Sequence, residues 1–187
     1  MVSPADSAFR KRRASARTDL RAEALQSWFA AAKGWLNPHV QVLFDHTHGF
    51  HAVAAQPLAS PVVASCPLSL TLSHLSLRRD HDLVPHVASP LHNCLGRVPD
   101  HVLNYLFLAE QHCLGEESQW HPYIACLPKS ESMAAAVWFT DRDMELLRGT
   151  NLMQATRDRQ TALRDQWEHA QAIMNECGVV MPEKFDL

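Results

Sequence analysis

No run of about eighteen apolar residues occurs in this 187-residue chain, which excludes a helix able to cross a bilayer. The apolar middle of a secretory signal is missing as well, because charges arrive within the first thirteen residues. An arginine- and serine-containing start keeps mitochondrial import open, with Asp6 against it. No two of the five cysteines (Cys66, Cys94, Cys113, Cys126, Cys177) stand at zinc-finger spacing. Their odd number and apolar settings read as reduced, intracellular core residues, neither disulfides nor zinc ligands. Internal repeats and low-complexity tracts are absent too.

What is present is ordinary for a globular protein: 47% apolar residues, 20% charged and a net charge of −3. That charge argues against nucleic acid as the main partner. "RKRRASARTDLR", residues 10–21, is locally basic and suggests a nuclear import signal or a nucleic-acid patch, or else a solvated leader. Residues 1–17 are expected to be disordered. A helix is expected over 18–33, where Leu25, Trp28, Phe29 and Ala32 share a face and Gly34 supplies a left-handed cap. "VQVLF" (40–44) and "FHAVAA" (50–55) read as strands around a turn at Asp45–Gly49, and "VVASC" (62–66) as a third strand. Residues 75–97 lack a steady period and read as a connection with one short helix near 86–93.

Helices dominate after that. Residues 99–115 place Leu103, Leu106, Phe107, Glu110, Cys113 and Leu114 on one face, ending at Gly115. Ser118 caps a helix that stops at Pro128, and Thr140 with Asp143 has capping-box spacing. A last helix over 151–177 buries Leu152, Leu163, Trp167, Ala170, Ile173, Met174 and Cys177 and stops at Gly178. The fold class expected is α+β: a short antiparallel β unit followed by a mainly helical subdomain. The divisions are 1–17, 18–74, 75–97, 98–178 and a tail at 179–187.

"FDHTHGFHAVAA" (44–55) concentrates one aspartate and three histidines around Gly49. Were this a strand, His46 and His48 would project together as a two-histidine metal clamp, with Asp45 pointing away; no third ligand is nominated. The alternative is a turn whose glycine lets backbone approach a ligand. Trp28, Phe29, Trp120, Pro122 and Tyr123 read as packing anchors, Tyr105 as buried, and Asp141 and Asp143 as serving a helix start.

Four stretches in order, "SWFAAAKGWLNPHVQVLF", "HGFHAVAAQPLASPVVASCPLSLTLS", "LGEESQWHPYIACLP" and "WFTDRDMELLRGTNL", resemble SET-domain protein methyltransferases. The branch is the one with an inserted helical subdomain, which includes Rubisco large-subunit lysine methyltransferase and the actin-histidine methyltransferase. The resemblance spans about residues 27–177. It implies S-adenosylmethionine as methyl donor, a protein substrate, and a nuclear or cytoplasmic location. It also implies cofactor contact at His48, Gly49, Phe50 and His51. These four fall on the family's acidic residue and Gly-x-Gly, so His48 replaces the carboxylate and His51 the second glycine. The family's Asn-His pair and channel tyrosine have no counterpart. The chain is therefore expected to be an N-terminal half, a partial SET domain, catalytically inactive alone and prone to self-association through uncovered surfaces. The alternative is a non-catalytic helical interaction module derived from such a protein.

Overall fold

The computed structural model describes residues 19–78, 84–129, 132–133 and 135–180. The basic leader, residue 18 of the first expected helix and most of the expected tail lie outside them. The chain combines helices with two small antiparallel sheets, in keeping with the α+β class. No helix among the described residues is long and apolar enough to cross a membrane. Two compact units form: one from residues up to Thr71 together with Glu116–Leu127, the other from Leu72–Gly115 together with residues from Pro128 onward.

In the first unit, helix α1 (Leu20–Ala31) starts at Asp19, whose carboxylate accepts the Arg21 amide at 2.8 Å. Satisfying that amide relieves one of the donors a helix start leaves unpaired. The end of α1 differs from expectation. Lys33, not Gly34, takes the left-handed conformation, with φ 65°. The Gly34 amide donates to the Phe29 carbonyl at 2.8 Å and the Lys33 amide to Ala30 at 3.0 Å, a Schellman closure. Gly34 then lies one position beyond, under the Phe29 ring, where a Cβ would stand 2.7 Å from three ring carbons. The glycine is thus needed for close approach. Trp28 and Phe29, expected in the core, are only partly buried, and Ala22 is the one fully buried residue of α1.

Strand β1 (Trp35–Leu36) pairs with β4 (Ala64–Ser65), and β2 (Val40–Asp45) pairs with β3 (Gly49–Ala54). The third expected strand shrinks to two residues. Residues 61–66 are all exposed, so that stretch has no face to bury and its flanking prolines cannot donate to a ladder. Asn37 ties the β1–β4 pair to β2: its amide donates to the Val63 carbonyl at 2.9 Å, and its side-chain oxygen accepts the His39 amide at 3.0 Å. Residues 118–128 condense to one helical turn, α3 (His121–Ile124), with Pro122 inside it. Trp120 is 1% exposed and its indole N–H donates to the Leu70 carbonyl at 3.0 Å. Tyr123, expected beside it as an anchor, is exposed, because one short turn has too few residues to close a second face.

In the second unit, α2 (Asp100–Leu114) buries Val102, Leu103, Leu106, Phe107 and Gln111 and ends at Gly115, φ 57°. The buried stripe lies on the early side of the expected face. Leu114 is exposed, and Tyr105, expected to be buried, is 58% exposed on the opposite side of the helix. The expected irregular connection is irregular in backbone, holding 3-10 turns at His74–Leu77 and Pro90–Cys94, yet it supplies Leu77, Val84, Leu91 and Cys94 to the core. His74 fastens it to α2: its amide donates to Asn104 Oδ1 at 2.7 Å, and its ring Nε2 lies 3.5 Å from Asp100 Oδ2. Ser89 Oγ donates to Glu110 at 2.8 Å, and burial raises the Glu110 pKa. Thr140 and Asp143 form the expected capping box at α4 (Asp141–Met144). Helix α5 (Asn151–Glu176) buries Ala170 and Met174 as expected, but leaves Leu152 52% exposed in its first turn.

Removing the Trp120 ring leaves a cavity and an unpaired Leu70 carbonyl. Trp120→Ala should lower unfolding free energy by about 3–5 kcal/mol, read from urea denaturation, with Trp120→Phe losing less.

Candidate cofactor turn

Register across the hairpin runs from Val40 opposite Ala54 to Asp45 opposite Gly49, so three residues, His46, Thr47 and His48, form the loop. A three-residue hairpin loop needs a left-handed residue at its close. Gly49 fills that place with φ 66°, and a Cβ there would meet nothing within 4 Å. Backbone conformation, and not crowding, therefore demands the glycine.

Asp45 organises the loop. Its Oδ1 accepts the amides of Thr47 at 2.8 Å and His48 at 2.7 Å. The His48 Nδ1 lies 3.0 and 3.1 Å from the two carboxylate oxygens. His51 Nε2 approaches the other oxygen at 3.7 Å, while its Nδ1 donates to the Gly49 carbonyl at 2.9 Å. Amide donation from His48 is the largest cause that pulls the Asp45 pKa down to about 2, aided by the His48 ring and the Thr47 amide and opposed by burial.

Phe50, the third candidate, turns the other way. Its ring lies 4.9 Å from Phe44, and the Arg21 guanidinium covers both rings at 4.7 and 5.0 Å. Asp19 holds that guanidinium in place at 2.7 Å, and Ala125 accepts from it at 3.4 Å. Cation–π stacking of this kind clips α1 and the 116–127 segment onto the hairpin.

The structure brings His48, Gly49 and His51 together around Asp45 and places Phe50 on the opposite face. It reverses the expected direction of Asp45. In a continuous strand Asp45 would point away from His48, but the chain doubles back in the loop and the two meet. His46 does not join them; its ring stands edge-on to Phe44 at 5.6 Å and is exposed. Among the described residues no group of three His, Cys, Asp or Glu side chains stands so as to hold a metal. Asp45 and Arg21 were missed as organisers of the site. An aspartate four residues before a loop-closing glycine was the available sign for Asp45, since its side chain bonds the backbone two and three residues on. Nothing local marked Arg21. Asp141 and Asp143 remain at a helix start, as expected. No protein-family model matches the chain, and no curated protein matches it at a significant level.

A lowered carboxyl pKa stabilises the folded state where the group is ionised. The Asp45 contribution is complete above its ordinary value of 3.8 and is lost as pH falls through about 2. Asp45→Asn should weaken the hairpin at pH 6 and flatten the dependence of urea stability on pH between 5 and 2. A carboxyl carbon titration by NMR should place the wild-type midpoint at about 2.

Proposed function

We propose that residues 48–51 are the S-adenosylmethionine-contacting turn of a SET-type protein N-methyltransferase, and that this chain alone holds the cofactor weakly and transfers no methyl group. The observation that carries the reading is Gly49, left-handed at the close of a hairpin. That hairpin is framed by α1 before it and by the buried Trp120 segment after it, in the order the resemblance calls for. S-adenosylmethionine would supply an electrophilic methyl group, and a lysine amine or a histidine ring of a protein substrate would receive it.

Weak binding is supported by the turn's own hydrogen bonds. Thr47 and His48 direct their amides to Asp45, and the Gly49 carbonyl already accepts from His51. A ligand seeking backbone groups there competes with bonds already made, so little net energy remains for it. His51, where the family has glycine, adds a ring beside the same carbonyl. Absence of transfer is supported by the tyrosines: Tyr105 and Tyr123 are 58% and 41% exposed. Aligning an amine on a methyl group calls for a walled, oriented channel, and an exposed tyrosine walls nothing.

A second reading, a helical protein-interaction module, draws on Trp138, Leu146 and Leu152, which are 51%, 80% and 52% exposed. Such side chains in one compact unit favour contact with another protein or with a second copy of the chain.

Titrating S-adenosylmethionine into the 15N-labelled chain should shift the Thr47–His51 amides with a dissociation constant on the order of a millimolar. His51→Gly should tighten it. An unshifted hairpin at saturating cofactor, or micromolar binding, would overturn the reading. Sedimentation velocity should show mass rising with concentration, and Leu146→Lys should reduce the rise if the exposed apolar residues carry it.

A further inference from the structure

Three serines in this chain stand before a proline: Ser3, Ser60 and Ser89. Ser3 lies outside the described residues. The other two share the tripeptide Ala-Ser-Pro, at residues 59–61 and 88–90, yet the fold treats them differently. A proline disfavours the helical region for the residue before it, so both serines are biased toward the extended backbone in which a chain lies along an enzyme's groove. Ser89 has that geometry, with φ −149° and ψ 140°. What separates the pair is what each hydroxyl touches and what the following residues do.

Ser60 stands in the open. Residues 59–66 are all exposed, and residues 55–63 belong to no helix or strand. The Ser60 Oγ accepts the Val62 amide at 3.2 Å, at the long end of N–H···O bonds; that contact uses a lone pair and not the hydroxyl's proton. Drawing residues 59–63 into a groove brings out no buried side chain. Its cost is at most the bonds that Asn37 makes to the Val62 and Val63 carbonyls.

Ser89 is closed. Its hydroxyl donates across both Glu110 carboxylate oxygens, each at 2.8 Å, and its oxygen accepts the Leu91 amide at 3.1 Å. Pro90 opens the 3-10 turn Pro90–Cys94, which seats Leu91 and Cys94, both 0% exposed. To stretch the chain after Ser89, both core side chains have to come out. A phosphate on Ser89 is moreover set against the Glu110 carboxylate, like charge against like.

We propose that Ser60 is a phosphorylation site for a proline-directed protein kinase, and that folding withholds Ser89 from the same enzyme. A kinase of this class reads the fixed ring and the missing N–H of the residue after the serine, and Pro61 supplies both. ATP is the co-reactant. The Ser60 Oγ attacks the γ-phosphorus; an O–P bond forms, and the bond from that phosphorus to the β,γ-bridging oxygen breaks. ADP leaves with the electron pair, and the hydroxyl proton passes to the kinase's catalytic carboxylate. The product sets a charge of about −1.5 to −2 beside Val62 and Val63, which are 50% and 43% exposed. A solvated dianion there opposes burial of that apolar stretch against another protein.

The test uses the whole folded chain carrying Ser3→Ala, incubated with ATP and a proline-directed kinase already shown to modify a Ser-Pro peptide. Intact mass should rise by about 80 Da. Peptide mapping should place the phosphate on Ser60, with at least about tenfold more there than on Ser89. Adding Ser60→Ala should abolish the rise. An unmodified chain, phosphate on Ser89 at a level matching Ser60, or a mass gain that persists in Ser60→Ala would overturn the proposal.

Discussion

The hairpin loop turns two backbone amides and one imidazole inward on Asp45, and the positions of His48, Gly49 and His51 follow from that convergence. With the carboxylate ionised, Thr47 and His48 are held in a tight loop, Gly49 closes it, and His51 is drawn back over the Gly49 carbonyl. On the far face Phe44 and Phe50 pair beneath Arg21. An electrostatic clasp thus sits on one side of a two-stranded ribbon and a cation–π clasp on the other. A hairpin alone is marginally stable, so these clasps, and the contacts Arg21 makes with Asp19 and Ala125, decide whether the turn has one geometry.

That self-sufficiency bears on function. A turn made to grip a ligand through its backbone leaves donors unpaired until the ligand comes, whereas this one has filled them from its own side chains. The proposed cofactor role and the proposed weakness of binding are two aspects of one arrangement, in which side chains stand where the SET-domain resemblance calls for a glycine and a carboxylate.

How far the sequence could be read depended on the range of the forces involved. Thr140 with Asp143, Gly115 and Gly178 were legible because capping and left-handed closure are decided within a few residues. The β2–β3 pair was legible from alternation around a glycine turn. By contrast, the 62–66 strand and the helix after Ser118 dwindled, since propensity alone does not supply a face to bury. Gly34 was assigned the right motif but the wrong position, because only the packed structure reveals the Phe29 ring above it. At the hairpin, the turn was located correctly while the bond that arranges it was not. A strand periodicity was extended into a loop, and this sent Asp45 to the wrong side. Cys66, read as a core residue, is exposed.

Helix α5 has one more implication. Its 26 residues extend about 39 Å, yet Thr156, Ala170 and Met174 are its fully enclosed side chains. Between Thr156 and Ala170, Gln160, Leu163 and Trp167 are half-buried, and Gln160 donates to the Val137 and Phe139 carbonyls. Outward positions along that span are a natural gauge of intrinsic helix preference. Exchanges among straight-chain residues at its exposed positions register at no more than about 0.7 kcal/mol each, so drift there is cheap.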